Sequence, residues 1–253
     1  MKILQIDIET APNQVYTWGL FKQDIALNQI VEPGYTLCFA AKWLGQKEII
    51  FESEEGGNFD RMIQRAWDLL NEADAVIHYN GKKFDIPTLN KEFMLAGLPP
   101  PDPYHQIDLY QTVKNRTKFA SNKLDFVCQQ LGLGGKTHHK GMQLWNDCMN
   151  NDSRAWKIME KYNKQDVRLL EKLYNKLLPW ITNHPNRGLY VDTLSPVCPN
   201  CGGTHLVKKG IETTATQQYQ RFRCKKCETP LRGRLSIVPK DKKPAILTQS
   251  KLT

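Results

Sequence analysis

The spacing of hydrophobic and polar residues along this 253-residue chain predicts five strands. An alternating run comes first, two further β-rich runs follow it, and together these three runs predict a meander. Two shorter apolar runs come later, separated by helical sequence. The strands are expected over residues 2–9, 35–43, 48–52, 74–79 and 106–109.

Apolar residues that recur at helical spacing predict four helices. Pro87 falls in the first turn of the second helix, where proline is tolerated, and Gly97 ends that helix. Ser121 is the expected N-cap of the third. The helices are expected over residues 59–70, 86–96, 121–131 and 153–178. The last should bury Ile158, Leu169, Leu170, Leu173 and Leu177. This order of elements predicts an α/β fold with a mixed sheet.

Positive charge is concentrated at the C-terminal end of the chain. The net charge is +9, and residues 198–253 alone carry 12 Lys and Arg against 3 Asp and Glu, so residues 1–197 are neutral overall. A basic end on a neutral body is typical of a protein that binds an anionic polymer such as nucleic acid. Solvated charge that only aids solubility is the alternative.

Composition argues against a membrane or secreted protein. No apolar run approaches the roughly 18 residues that a membrane span needs, and the first residues do not resemble a secretory signal. Seven cysteines, an odd number, argue against a disulfide framework. We expect a cytoplasmic protein with no membrane partner. Its expected parts are a body over residues 1–180, a linker over 181–197, a small module over 198–238 and a flexible basic tail over 239–253.

Two acids stand two residues apart in the first strand. Residues at this spacing point to the same face of a strand, so the carboxylates of Asp7 and Glu9 can reach one point in space. Two solvent-facing acids on an edge strand would give the same pattern. However, Asp7 lies inside an apolar run, and an acid in a buried strand needs a partner or a metal ion.

Two more acids extend this candidate set. Asp85 opens the second helix, where capping is its alternative role. Asp166 lies in the last helix four residues after Tyr162, so their side chains share one helix face. A surface pair would show the same spacing.

In this order and on these elements, the acids resemble the motifs of the DEDD exonuclease superfamily, in its tyrosine-bearing subgroup. The three motifs are Asp7-Ile8-Glu9-Thr10, Asn80-x-x-x-Phe84-Asp85 and Tyr162-x-x-x-Asp166. The resemblance covers about two-thirds of the chain. It implies a ribonuclease H-like fold with a mixed five-stranded sheet flanked by helices, whose first three strands are antiparallel.

The same resemblance implies a role for each motif residue. Two Mg²⁺ or Mn²⁺ ions would be held by four carboxylates, those of Asp7, Glu9, Asp85 and Asp166. Carboxylates are hard ligands suited to these cations, and two such ions about 4 Å apart activate a water and stabilise the leaving oxygen in phosphodiester hydrolysis. Tyr162 would orient the attacking water.

Other polar residues near the motifs have weaker assignments. Asn80 and Phe84 would contact the terminal nucleotide, although Phe84 also suits packing. Asp108 is expected to be a solvated acid at a strand end, with support of the site as the alternative. The pair 138–139, both histidine, is expected to lie in a loop.

The expected function is a metal-dependent 3′–5′ exonuclease that hydrolyses phosphodiester bonds at nucleic-acid 3′ ends and releases 5′-mononucleotides. DNA is the favoured substrate, and a replication or repair protein is a candidate partner. Three alternatives stay open: an RNA exonuclease, a structure-specific endonuclease using the same site, and a non-catalytic adaptor that binds nucleic acid.

Four cysteines in the C-terminal module form two Cys-x2-Cys pairs. They are Cys198, Cys201, Cys224 and Cys227. This spacing is expected for one tetrahedral structural Zn²⁺, which would supply the folding energy of a module too small for its own core. A redox pair is the alternative.

This module resembles the zinc ribbons of transposases and transcription factors. Basic and aromatic residues interleave along it, a composition that suits phosphate contact combined with base stacking. The expected nucleic-acid contacts are Lys208, Lys209, Tyr219, Arg221, Phe222, Arg223, Lys225 and Lys226. A ribbon that docks a protein, or is purely structural, is the alternative.

Overall fold

The computed structural model describes residues 1–135 and 141–250, which divide into two compact units. The first is Met1–Tyr174, and the second begins at Asn175. The pair 138–139 and the last residues of the expected tail, 251–253, lie outside the described residues.

The first unit contains a mixed five-stranded sheet, as expected from the sequence. The strands of the whole unit, in chain order, are β1 (Ile3–Thr10), β2 (Gln14–Val15), β3 (Ile30–Glu32), β4 (Thr36–Trp43), β5 (Ile50–Ser53), β6 (Ala75–His78) and β7 (His105–Asp108). The five-stranded sheet has the order β5-β4-β1-β6-β7, and β2 and β3 pair separately. The β1-β4-β5 part is antiparallel, whereas β6 and β7 continue parallel to β1.

Helices flank this sheet. They are α1 (Phe59–Glu72), α2 (Asp85–Leu95), α3 (Leu109–Arg116), α4 (Leu124–Gln130), α5 (Met142–Met149) and α6 (Ser153–Leu177). The sequence did not predict α3 and α5. The N-cap of α4 is Lys123 and not Ser121, whose hydroxyl instead accepts the Lys123 N–H at 3.3 Å.

The two faces of the central strand β1 have different neighbours. Leu4, Ile6 and Ile8 point into a core formed with α1 and α2. A second core, over the opposite side of the sheet, contains Trp156 and Met159 of α6. The prediction that Ile158 is buried was wrong, because the apolar face of α6 begins with residues 155, 156 and 159, and position 158 turns toward solvent.

The carboxyl ends of β1, β6 and β7 meet at one edge of the sheet because these three strands are parallel. The pairing between β1 and β6 is short and involves only Ile3–Gln5 of β1. The following residues of β1 therefore have backbone groups on that side with no strand beside them.

A long segment that is not part of the five-stranded sheet connects β1 to β4. Residues 12–34, here named the aromatic arm, contain the antiparallel pair of β2 and β3 and a short 3-10 turn at Leu27–Gln29. Nothing in the periodicity of the sequence predicts this arm.

The second unit contains a three-stranded antiparallel sheet. Its strands are β8 (Leu206–Thr213), β9 (Gln218–Cys224) and β10 (Pro230–Ser236), in the order β10-β9-β8. The four cysteines lie at one end of this sheet. Cys198 and Cys201 precede β8, Cys224 ends β9 and Cys227 lies in the turn that leads to β10. In the described part of the chain, no helix has both the length and the apolar character that crossing a bilayer requires.

Candidate active site

Asp7 and Glu9 lie on the face of β1 opposite to Ile6 and Ile8, as the period of a strand requires. Both side chains are partly exposed. The register between β1 and β4 shifts between Glu9 and Thr10, which is the mark of a β-bulge. The extra residue is Leu37, so the bulge lies in β4, next to the end of β1 that carries the two acids, and bulges are common beside active sites.

The last helix brings a third carboxylate to this pair. Asp166 of α6 is almost fully buried, and carboxylate oxygens of Asp7, Glu9 and Asp166 all lie within 4.8 Å of one another. Three acids at this separation repel one another unless a cation lies between them, and oxygen donors are the ligands that Mg²⁺ and Mn²⁺ prefer. The donor set therefore fits a divalent cation.

Asn163 is a site residue that the sequence did not identify. It is fully buried in α6, and its Nδ2 donates to Asp7 Oδ2 at 2.8 Å and to the Asp7 backbone carbonyl at 3.3 Å. Asn163 and Asp166 are three residues apart and so lie on one face of the helix. One helix thus supplies a carboxylate to the cluster and also orients a carboxylate of β1.

Asp85 reaches the same strand from the first turn of α2. It does not cap that helix, since Phe84 is the N-cap position and no side-chain cap is present. Instead its Oδ1 accepts the backbone N–H of Ile8 at 3.2 Å, between Asp7 and Glu9. This N–H is accessible because β6 pairs with β1 only as far as Gln5. Asp85 lies outside the 4.8 Å cluster of the other three acids.

Burial makes the charged form of Asp85 costly. Desolvation raises the pKa of this carboxyl to about 6, the Ile8 N–H opposes that rise, and the nearby Asp108 carboxylate adds to it. A cation at the cluster would offset this cost.

Tyr162 lies four residues before Asp166 and is 6% exposed. Its ring packs edge-on against Trp145 of α5, with ring centroids 6.0 Å apart. This contact fixes the direction of the phenol on the helix face that also carries Asp166.

The second motif lies in the turn between β6 and α2. Asn80 has a left-handed backbone with φ of 65°, and its N–H donates to Asp108 at 2.9 Å. Asp108 is 5% exposed and also accepts the Tyr110 N–H at 3.0 Å as the N-cap of α3. The expectation of a solvated Asp108 was therefore wrong, because this carboxylate holds two backbone N–H groups.

Phe84 is 47% exposed and lines a cavity of about 330 Å³. The residues around it come from the end of β1, the end of the aromatic arm and the start of α2. They include Thr10, Gly34, Tyr35, Lys83, Phe84 and Lys91. The ring of Phe84 and the ammonium group of Lys83 suit a nucleotide, whose base is flat and whose phosphate is anionic, whereas the Lys91 ammonium is ion-paired with Glu92 at 3.0 Å.

A family model of the RNase H superfamily matches residues 4–178. The chain belongs to the RNase H superfamily. A comparison of this chain with curated proteins found no match. Among solved structures, its fold is similar to that of a family B DNA polymerase from the hyperthermophilic archaeon Pyrobaculum calidifontis, with a TM-score of 0.54 and 20% identity. The match covers 70% of this chain and 24% of the polymerase chain.

The second unit of this RNase H superfamily protein holds a separate candidate metal site. All four cysteine sulfurs lie within 4.8 Å of one another. The Cys198–Cys227 and Cys201–Cys224 Sγ separations are 3.6 and 3.5 Å. A tetrahedral site with Zn–S bonds of about 2.3 Å has sulfur–sulfur edges of about 3.8 Å. The thiol set therefore fits a zinc ion.

The predicted nucleic-acid contacts of the second unit lie on two faces of its sheet. Strand alternation and register put Tyr219, Arg221 and Arg223 on one face and Phe222 with Lys208 on the other. The Arg232 guanidinium lies 4.5 Å from the centre of the Tyr219 ring and covers one side of it. The remaining lysines, Lys209, Lys225 and Lys226, are exposed.

Proposed function

We propose that this protein is a metal-dependent 3′–5′ exonuclease of the tyrosine-bearing DEDD group. The observation that carries the proposal is the meeting of Asp7, Glu9 and Asp166 within 4.8 Å, with Asp85 bonded to the strand between the first two. Members of the RNase H superfamily are typically metal-dependent nucleases. The favoured substrate is DNA with a 3′ end, and the products are 5′-mononucleotides.

The carboxylates of Asp7, Glu9, Asp85 and Asp166 would hold two Mg²⁺ or Mn²⁺ ions. When bound, the ions supply an activated water and stabilise the leaving oxygen. Asn163 fixes the Asp7 carboxylate through its bond to Oδ2, so that the other oxygen of Asp7 keeps a defined direction. Tyr162 orients the attacking water from its packed position against Trp145.

The terminal nucleotide would occupy the cavity next to the carboxylates. Phe84 offers a partly exposed ring for the base, and Lys83 offers charge for the phosphates. Asn80 would also contact this nucleotide, and its backbone N–H is held by Asp108 at the end of β7. The ribbon would carry one structural Zn²⁺ and add affinity for the strand through its lysines and arginines.

Hydrolysis of end-labelled DNA in Mg²⁺ tests this proposal. Asp7→Asn and Asp166→Asn each replace a charged ligand by a neutral amide of the same shape, so each should lower turnover by at least about 100-fold. Asp60→Asn makes the same change on the exposed side of α1 and should leave turnover unchanged. Full activity in Asp7→Asn would reject the site.

The substrate panel decides between the remaining possibilities. An exonuclease leaves circular single strands intact, whereas a structure-specific endonuclease cuts branched circles. A 5′-labelled strand should give a ladder of shortened products if digestion starts at the 3′ end. Faster hydrolysis of RNA would assign an RNA exonuclease, and no hydrolysis of any strand would favour an adaptor.

A further inference from the structure

The aromatic arm exposes more large apolar surface than the rest of the first unit. Three rings on it are almost fully accessible: Tyr16 at 77%, Trp18 at 102% and Phe21 at 84%. Leu20 and Leu27 are equally open. Several large apolar side chains exposed on one short segment are typical of an interaction surface.

Hydrogen bonds within the arm give it a defined conformation. The Tyr16 N–H donates to the Gln29 carbonyl, and the Gln29 side chain returns a bond to the Tyr16 carbonyl, each at 2.9 Å. Local bonds continue around the tip, where Thr17 Oγ1 donates to the Gly19 carbonyl at 2.8 Å and Gln23 Nε2 to the Phe21 carbonyl at 2.9 Å. The backbone on both sides of Trp18 is therefore tied, and the rings project from a defined support.

The arm is rooted at the candidate active site. It begins at residue 12, three residues beyond Glu9, and the residues that flank it are joined by the Ala11 N–H, which donates to the Tyr35 carbonyl at 2.8 Å. Gly34, at the end of the arm, accepts a bond from Lys91 Nζ at 2.6 Å. Gly34 and Lys91 also line the cavity beside the carboxylates. The surface of the arm is thus continuous with that cavity.

Charge indicates what the arm can bind. Residues 12–34 contain Lys22, Asp24 and Glu32 as their only charged residues, a net charge of −1. Such a surface does not attract phosphates, whereas exposed rings stack on the faces of unpaired bases without regard to sequence. The cavity at the root supplies the ammonium group of Lys83, a positive charge near the root of the arm.

We propose that the aromatic arm is a stacking platform for the unpaired bases of the strand whose end enters the active site. The inference rests on the proposed nuclease function, because that function brings a nucleic-acid strand to the cavity at the root of the arm. Trp18 and Phe21 are the principal stacking residues. In this proposal the rings of the arm bind the bases of the strand, and the lysines and arginines of the ribbon bind its phosphates.

Equilibrium binding to fluorescein-labelled 20-residue oligo(dT) and oligo(U) tests the proposal, with the full chain in an Asp7→Asn background so that the strand is not consumed. The double variant Trp18→Ala, Phe21→Ala should weaken binding by about 10-fold or more. Trp18→Phe, which keeps a ring, should restore most of the loss caused by Trp18→Ala. Leu27→Ala, on the same arm and equally exposed, should bind as the parent does.

The salt dependence of binding and the affinity for abasic strands distinguish base stacking from phosphate contact as the cause of a loss of affinity. The logarithm of affinity should fall with salt at the same slope in the arm variant and its parent, because stacking releases no counterions. Lys225→Gln with Lys226→Gln on the ribbon should lower that slope. An oligonucleotide of abasic residues should bind the arm variant and its parent equally.

Three outcomes would overturn the proposal. These are unchanged affinity in the arm variant, an equal loss on abasic strands, and a dimer that the arm substitutions dissolve, which would show that a second copy covers the rings. Loss with either oligo(dT) or oligo(U) supports it and identifies the strand. If the wild-type protein hydrolyses nothing while the ring-dependent affinity persists, the exonuclease proposal fails and the arm remains a strand-binding platform.

Discussion

At the scale of single residues, the candidate site depends on hydrogen bonds that hold its side chains and its backbone in place. Asp7 is directed by Asn163, Asn80 by Asp108, and Asp85 by a backbone N–H of β1. Metal ligands fixed in this way lose less freedom when a cation binds, which is why the groups behind the ligands influence affinity as well as the ligands themselves.

Asn163→Ala should raise the Mg²⁺ concentration needed for half-maximal hydrolysis by about 10- to 100-fold, because Asp7 loses the donor that orients it. Titration of activity with Mg²⁺ measures this shift. Asn175→Ala, an exposed substitution on the same helix, is the matched control. An unchanged Mg²⁺ dependence in Asn163→Ala would show that Asp7 needs no such support.

His78 makes stability depend on pH. It is fully buried at the end of β6, and burial lowers its pKa even though Asp108, 3.8 Å away, raises it. As pH falls through about 6.5, the unfolded chain takes up a proton at this residue and the folded chain does not. At this residue the folded state should therefore lose stability below that pH, whereas Asp85, with its pKa raised to about 6, contributes in the opposite direction.

Urea unfolding at pH 7.5 and pH 5.5 measures the effect. The fall in unfolding free energy between these values should be smaller in His78→Gln than in the wild type, since glutamine does not titrate. His105→Gln, an exposed change on the neighbouring strand, should keep the full fall. An equal fall in all three proteins would exclude His78 as its source.

At the scale of elements, the sequence predicts the sheet, α1, α2, α4 and α6 because each has a clear hydrophobic period. Hydrophobic periodicity does not predict helix α3. This helix starts at Leu109, directly after β7, and is too short for its apolar positions to repeat. The aromatic arm has no core-facing period at all. Asn163 was missed because a buried amide is indistinguishable in sequence from a surface one, and only its contact with Asp7 reveals it.

Asp108 connects the turn before α2 to the start of α3, because it accepts the backbone N–H groups of Asn80 and Tyr110. Two substitutions distinguish this structural role from a role of its charge in hydrolysis. Asp108→Ala removes the cap of α3 and the acceptor for the Asn80 N–H, and should cost about 2 kcal/mol of stability. Asp108→Asn keeps an acceptor oxygen and should cost about half as much or less while keeping hydrolysis. Urea unfolding and an activity assay measure both effects. If Asp108→Asn folds normally but is inactive, the carboxylate charge itself serves the reaction.

At the scale of the whole molecule, two candidate metal sites with different donor atoms lie in two units. The oxygen cluster lies in a body without net charge, and the thiol cluster lies in the module that carries the positive excess. Hard and soft donor sets of this kind select different cations, so the two sites should load independently.

Cys224→Ser should remove the bound zinc, unfold the ribbon and weaken binding of single-stranded DNA by roughly 10-fold, with a shallower salt dependence. Turnover at saturating substrate should stay near the wild-type value, because the oxygen cluster is in the other unit. Metal analysis and the binding and turnover assays check this. Cys128→Ala, a buried cysteine of the body, should retain one zinc per chain. Loss of turnover at saturation in Cys224→Ser would tie the ribbon to the chemistry.

The bond between Asn163 and Asp7 joins residues 156 positions apart, so the candidate site is made from nearly the first and nearly the last elements of the body. During synthesis the ribosome releases β1 long before α6. A growing chain therefore has only two of the three clustered carboxylates until α6 has emerged and packed. The order of translation thus delays assembly of the nuclease site until the body is nearly complete.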